Sequence, residues 1–66
     1  MRIYVNGKET GVSGQLTVAG LVFEKGLDPN TVVVEHNRVI LPKEKWTEVT
    51  LASEDRLEII TFVGGG

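Results

Sequence analysis

The first five residues alternate, with Met1, Ile3 and Val5 on one side and Arg2 and Tyr4 on the other. That is the two-residue period of a strand with one buried face, and the β-branched Ile3 and Val5 suit it. Asn6-Gly7 follows at once. Both residues tolerate the positive φ of a type I′ turn, so a hairpin is predicted, with Lys8 to Ser13 returning as a weaker strand anchored by Val12. The period then lengthens. Val18, Leu21 and Val22 recur at helical spacing after Thr17, whose hydroxyl suits an N-cap, and Leu16 stands where a hydrophobic staple onto Leu21 would form. Gly20 inside this helix costs about 1 kcal/mol relative to alanine and points to a close approach of backbone. Lys25 complements the negative end of the helix, Gly26 suits the position after the cap, and Leu27 can fold back onto the helix. Asp28-Pro29-Asn30 takes the chain out of it.

Thr31 to Glu35 opens with four β-branched residues, the strongest strand signal in the chain. Asn37-Arg38 reads as a second tight turn and Val39-Ile40-Leu41 as a short partner strand. Pro42 opens one turn of 3₁₀ or α-helix that Trp46 closes against the body of the protein. Val49 and Leu51 are spaced like a short strand, and Glu54-Asp55 like a turn. The last strand runs from Arg56 to Val63, with Leu57, Ile59, Thr61 and Val63 on one face and Glu58, Ile60 and Phe62 on the other. The order predicts an α+β fold: a mixed sheet of four to five strands with one main helix packed across it. The first and last strands would be central, parallel neighbours, which is the β-grasp layout. Residues 1–66 read as one domain with a flexible tail at 64–66.

Composition narrows the function. Ordering each residue costs about 1.5 kcal/mol, so a chain this short has little interior to spare for a cofactor pocket or catalytic cleft. Nine acidic and seven basic residues are interspersed, for a formal net charge of -2. Neither the basic footprint of nucleic-acid binding nor a polybasic membrane stripe is present in the sequence. No run approaches transmembrane length, and the opening apolar stretch, broken at Asn6-Gly7, is too short for a signal-peptide core. The absence of cysteine excludes disulfides, a thiolate nucleophile and cysteine metal sites, and it fits a reducing, cytoplasmic setting.

Side chains offer little chemistry. His36 is the only histidine, and no set of His, Cys and carboxylates is spaced as metal ligands. Ser13 or Ser53 with His36 and Asp55 would spell a triad, but no nucleophile elbow surrounds either serine. Gly7, Gly11, Gly14 and Gly20 are too scattered for a phosphate loop. No catalytic side chain and no metal ligand is therefore assigned, and no bound cofactor is expected.

Gly64-Gly65-Gly66 is different, because it follows a good strand and caps nothing. One reading is a frayed end. The other is a narrow, extensible tail fit to enter a tunnel in a partner, with a terminal carboxylate ionised at neutral pH. Attack of that carboxylate on the α-phosphorus of ATP would give an acyl-adenylate, and a sulfur nucleophile displacing AMP would leave a thiocarboxylate. A partner enzyme would have to supply the ATP site.

The chain resembles the sulfur carrier proteins of thiamine (thiazole) biosynthesis, the ubiquitin-like ThiS family, over essentially all its residues. The resemblance is carried by Ile3-Tyr4-Val5-Asn6-Gly7, Thr17-Val18, Val34-Glu35-His36-Asn37 with Val39-Ile40, and Pro42-Lys43-Glu44-Lys45-Trp46. Asp55-Arg56-Leu57-Glu58-Ile59-Ile60 and Phe62-Val63-Gly64-Gly65-Gly66 complete it. It implies a β-grasp fold and a carrier that is a protein cosubstrate and not an enzyme. Gly66 would be adenylated by an E1-like adenylyltransferase of the ThiF type using ATP, then converted to a thiocarboxylate by a sulfur-donor system. Thiazole synthase, of the ThiG type, would receive the sulfur. Such proteins commonly have Gly-Asp where this chain has Glu54-Asp55, so either the turn type differs here or, if the turn needs a positive φ, Glu54 carries mild strain.

Docking needs a surface as well as the tail of Gly64 and Gly65. Ile60 and Phe62 are the candidates, on the face of the last strand opposite Leu57 and Ile59. Three other readings stay open at the level of sequence. They are a carrier for another pathway, such as a molybdopterin synthase small subunit, a ubiquitin-like modifier that forms isopeptide bonds, and a β-grasp interaction module with an inert tail.

Overall fold

Asn6 and Gly7 adopt φ values of 53° and 79°, the all-positive signature of the type I′ turn. The turn folds Arg2–Val5 (β1) back onto Lys8–Gly11 (β2). The structure is a computed structural model and describes residues 1–62. Val63 and the tail glycines Gly64, Gly65 and Gly66 lie outside the described residues. The returning strand is shorter than its sequence suggests. It stops at Gly11, and Val12 contributes one further bond from its N–H to the Met1 carbonyl at 2.9 Å.

Val18–Glu24 forms the single α-helix (α1) among the described residues. Thr17 caps it through its Oγ1, which accepts from the Gly20 N–H at 3.0 Å. At the other end Gly26, at φ 69°, donates to the Phe23 carbonyl while Leu27 donates to that of Val22. That pair of bonds is the Schellman closure, and it needs a residue without a Cβ penalty at position 26. Gly20 answers a different need from the one its position suggests. A Cβ there would stand 2.8 Å from Leu16 Cδ1 and 3.3 Å from the capping Oγ1 of Thr17. A side chain, not another backbone, makes the close approach.

Beyond a 3₁₀ turn at Pro29–Thr31, Val32–His36 (β3) runs to the Asn37-Arg38 turn and back along Val39–Leu41 (β4). Thr31 therefore belongs to the turn, where its hydroxyl and amide both bond the Asp28 carbonyl. Lys43–Lys45 form the expected 3₁₀ turn, and Trp46 closes it, buried, with Nε1 donating to the Leu41 carbonyl at 3.0 Å. Val49 and Leu51 do not form a strand. Leu51 is buried and Val49 partly so, but pairing is limited to one bridge, Thr17 with Thr50. Their alternation records burial beneath the start of α1, where the Leu51 and Val18 N–H groups bond the Leu16 and Val49 carbonyls.

The last strand, Arg56–Thr61 (β5), enters the middle of the sheet, whose order is β2-β1-β5-β3-β4. It is parallel to β1 and antiparallel to β3. One face of this mixed five-stranded sheet carries the core. Ile3 and Val5, Val32 and Val34, and Leu57 and Ile59 meet the buried helix residues Val18, Leu21 and Val22. The fold is the α+β, β-grasp architecture expected.

Candidate functional site

The site takes shape around β5, the strand that leads to the C-terminal glycines. Its phase is the predicted one through Ile60: Leu57 and Ile59 are buried and Ile60 is 52% exposed, and Phe62, just past the strand's end, is 47% exposed. Thr61, expected on the core face, is exposed and lines an open groove beside Glu24, Lys25 and Leu27 at the end of α1. The Phe62 N–H donates to the Thr31 carbonyl at 3.0 Å.

Cross-strand register spreads this surface over the sheet. Ile60 pairs with Val33, and Glu58 with Glu35, which in turn pairs with Ile40. Ile40 is 63% exposed. The outer face of β5 therefore passes from Arg56 and Glu58 to Ile60 and Phe62, with apolar neighbours on β3 and β4. Arg56 lies over the Tyr4 ring, 4.7 Å from its centroid, and Arg2 stands 5.7 Å from the same ring.

Two polar devices hold β5 in place, and neither has a local sequence signal. At the strand's start Asp55 is buried and accepts from three directions: the Ala52 N–H at 2.9 Å, His36 Nε2 at 2.8 Å and Asn37 Nδ2 at 3.1 Å. An ionised carboxylate only accepts, which puts the imidazole proton on Nε2. Burial alone would push this carboxyl up, but the hydrogen bonds from Ala52, His36 and Asn37 outweigh it and hold Asp55 below the usual carboxylate range. Farther along, the Asn6 amide pairs with the backbone of Ile59 as a strand would, accepting from its N–H at 2.7 Å and donating to its carbonyl at 3.2 Å. Sequence marked Asn6 only as a turn residue.

The structure does join His36 to Asp55, but no serine is among their hydrogen-bond partners. Among the described residues no group of three or more His, Cys, Asp or Glu side chains is placed to hold a metal ion. Among the described residues no helix is long and apolar enough to cross a membrane. An open groove of about 680 Å³ lies between the first hairpin and the end of α1, where Lys8, Glu24 and Lys25 reach its rim. Its charged groups do not form hydrogen bonds or ion pairs with one another. The Ile60–Phe62 surface beside the exit of β5 remains the feature with a directional relation to the tail.

The family model described as the ThiS family matches residues 2–66. The chain belongs to the ThiS family. The sulfur carrier protein ThiS of Bacillus subtilis is 41% identical over 59 residues, covering 89% of this chain and 82% of that protein. The crystal structure of the thiamine biosynthesis protein ThiS from Geobacter metallireducens superposes with a TM-score of 0.86 at 32% identity, covering 100% of both chains. A thiazole synthase of Paramagnetospirillum magneticum is 41% identical over 66 residues, which are 100% of this chain and 20% of that protein. The chain thus spans about a fifth of the length of the thiazole synthases it matches. Membership in the ThiS family and the β-grasp fold agree with the resemblance read from the motifs.

Proposed function

We propose that this chain is a sulfur carrier of thiamine biosynthesis that works through the carboxylate of Gly66. The observation that carries the reading is family membership over residues 2–66, a span that includes Phe62-Val63-Gly64-Gly65-Gly66. A carboxylate oxygen of Gly66 attacks the α-phosphorus of ATP, pyrophosphate leaves, and an acyl-adenylate forms. A sulfide-level nucleophile then adds to the acyl carbon. AMP departs with the former carboxylate oxygen and a thiocarboxylate remains. Adenylation is needed because AMP is a far better leaving group than oxide.

The chain has no cysteine and so supplies no thiol of its own. An E1-like adenylyltransferase of the ThiF type brings the ATP site, and a sulfur-donor system brings the nucleophile. Thiazole synthase of the ThiG type takes the sulfur. The match within thiazole synthase chains supports that last assignment, since a segment similar to this whole chain shares a polypeptide with a synthase there. The carrier is a cosubstrate, and the reading locates it in the cytoplasm with ATP and reduced sulfur. Gly64 and Gly65 form the stem that enters the partner's active site, and Ile60 and Phe62 dock beside its entrance.

Intact-protein mass spectrometry after incubation with ATP, the activating enzyme and sulfide tests the chemistry. The expected result is the gain of one oxygen exchanged for sulfur, abolished by deletion of Gly66. No gain with an active enzyme and a folded carrier would refute it. For docking, Phe62→Ala is expected to weaken binding to the activating enzyme about tenfold while changing stability by less than about 1 kcal/mol. The side chain is already half in water, so the fold gives up little. Unchanged affinity in a titration would remove Phe62 from the interface.

A further inference from the structure

Two carboxylates oppose each other on the outer face of the sheet. Glu35 of β3 and Glu58 of β5 are register partners, so their side chains leave the same face as nearest cross-strand neighbours. Across from Glu35 on its other side stands Ile40, an apolar residue where a lysine or arginine would neutralise the pair. Among the described residues neither carboxylate has a cation within 4.0 Å. The neighbouring guanidiniums on this face are engaged elsewhere. Arg2 binds both oxygens of Glu54 at 3.0 and 3.2 Å, and Arg56 lies over the Tyr4 ring. Like charges opposite each other weaken a sheet. The fold therefore keeps an arrangement that the free carrier would be more stable without, and keeps it beside the apolar rows of Ile40, Val33, Ile60 and Phe62.

Resting on the reading that the activating enzyme docks on the Ile60–Phe62 face, we infer that it seats a basic side chain, Arg or Lys, between Glu35 and Glu58. Its apolar side chains pack on Ile40, Ile60 and Phe62. Charge complementarity chooses this occupant. A second copy of the chain docked through the same face would set one carboxylate pair against another, and an anionic surface would be repelled in the same way. A basic residue flanked by apolar ones satisfies both halves of the patch. Its guanidinium or ammonium supplies the counter-charge missing from the fold, in a setting that docking dries and so strengthens.

Glu58→Gln and Glu35→Gln keep the shape and remove the charge. Titrated as the full chain against the activating enzyme, each is expected to raise Kd about tenfold and to flatten the dependence of Kd on salt. Each free variant should melt at or above the temperature of the unsubstituted chain, because the opposition is relieved. Gln variants that bind with unchanged affinity and salt dependence, while Phe62→Ala binds weakly, would overturn the basic contact and leave the docking reading standing. A variant that melts lower would show that the carboxylates serve the fold, and would overturn the inference too. An unsubstituted carrier that neither binds the enzyme nor becomes adenylated would overturn the docking reading itself, and this inference with it.

Discussion

Asp55 is the residue through which the start of β5 is tied to the β3–β4 turn. Its three hydrogen bonds reach Ala52, His36 and Asn37, and the Asn37 side chain closes the circuit by accepting from the Arg56 N–H at 2.8 Å. Because the folded carboxyl titrates below its ordinary value, the unfolded chain takes up this proton first as pH falls. The stabilisation is therefore complete above about pH 5 and is lost as pH drops through the folded value below about pH 4. Asp55→Asn should cost about 2 kcal/mol at neutral pH, and it should remove this group's share of the acid destabilisation in urea unfolding measured from neutral to acid pH. Glu54, next to it, tests a cancellation. At φ 73° it carries the cost expected when a non-glycine residue takes the place of Gly in this turn. A left-handed conformation costs about 1–2 kcal/mol. Glycine would cost about 0.5–1 kcal/mol in chain entropy and would also give up the exposed, solvent-screened Arg2–Glu54 pair. Glu54→Gly should accordingly leave stability within about 0.5 kcal/mol, and a gain well above 1 kcal/mol would mean that the strain dominates. The strain at Glu54 was legible because a turn is a local object. The role of Asp55 was not, because its partners His36 and Asn37 stand 19 and 18 residues away.

At the scale of elements the same division holds. Asn6-Gly7, Thr17 and Gly26 carried their turn and caps in two or three adjacent residues, and each adopts the geometry its chemistry requires. The phase of β5 was legible too, so Ile60 and Phe62 could be put on the outer face from sequence alone. Val49 and Leu51 misled, since alternating burial beneath a helix start writes the same pattern as a strand. Gly20 shows what a single chain cannot reveal: that its neighbour is a side chain from the preceding turn. Helix propensity alone predicts a gain of about 1 kcal/mol for Gly20→Ala. The new methyl would meet Leu16 Cδ1, and shifting that partly buried leucine should cancel most of the gain. In a Leu16→Ala background that clash is gone and only the tight 3.3 Å approach to the Thr17 Oγ1 remains, so Gly20→Ala should then stabilise by up to about 1 kcal/mol. A double-mutant cycle by denaturant unfolding reads this directly, and equal effects in both backgrounds would show that Leu16 does not set the residue at position 20.

For the molecule as a whole, the last strand is central, so the segment that reaches the proposed docking surface is also the one on which the sheet depends. Its parallel pairing with β1 covers only Tyr4 with Arg56 and Val5 with Leu57. Asn6 prolongs that pairing after β1 has turned away, with its N–H on the Leu57 carbonyl and its side-chain amide on both backbone groups of Ile59. Asn6→Asp isolates this contribution, because aspartate also tolerates φ 53° and keeps the acceptor for the Ile59 N–H. It replaces the donor with an oxygen facing the Ile59 carbonyl, and should cost about 1–3 kcal/mol at neutral pH. The introduced carboxyl is neutral when it donates to that carbonyl, so its folded pKa should be raised, and the lost stability should return in part as pH falls through it. Hydrogen exchange supplies the spatial check. Protection at Ile59 should fall more than at Val34, which is held by β4 as well as β5. Equal loss at both sites would mean that the substitution lowers global stability without loosening the end of β5. Selective loss at Ile59 would make Asn6 the residue that keeps the exposed Ile60–Phe62 surface fixed relative to the core.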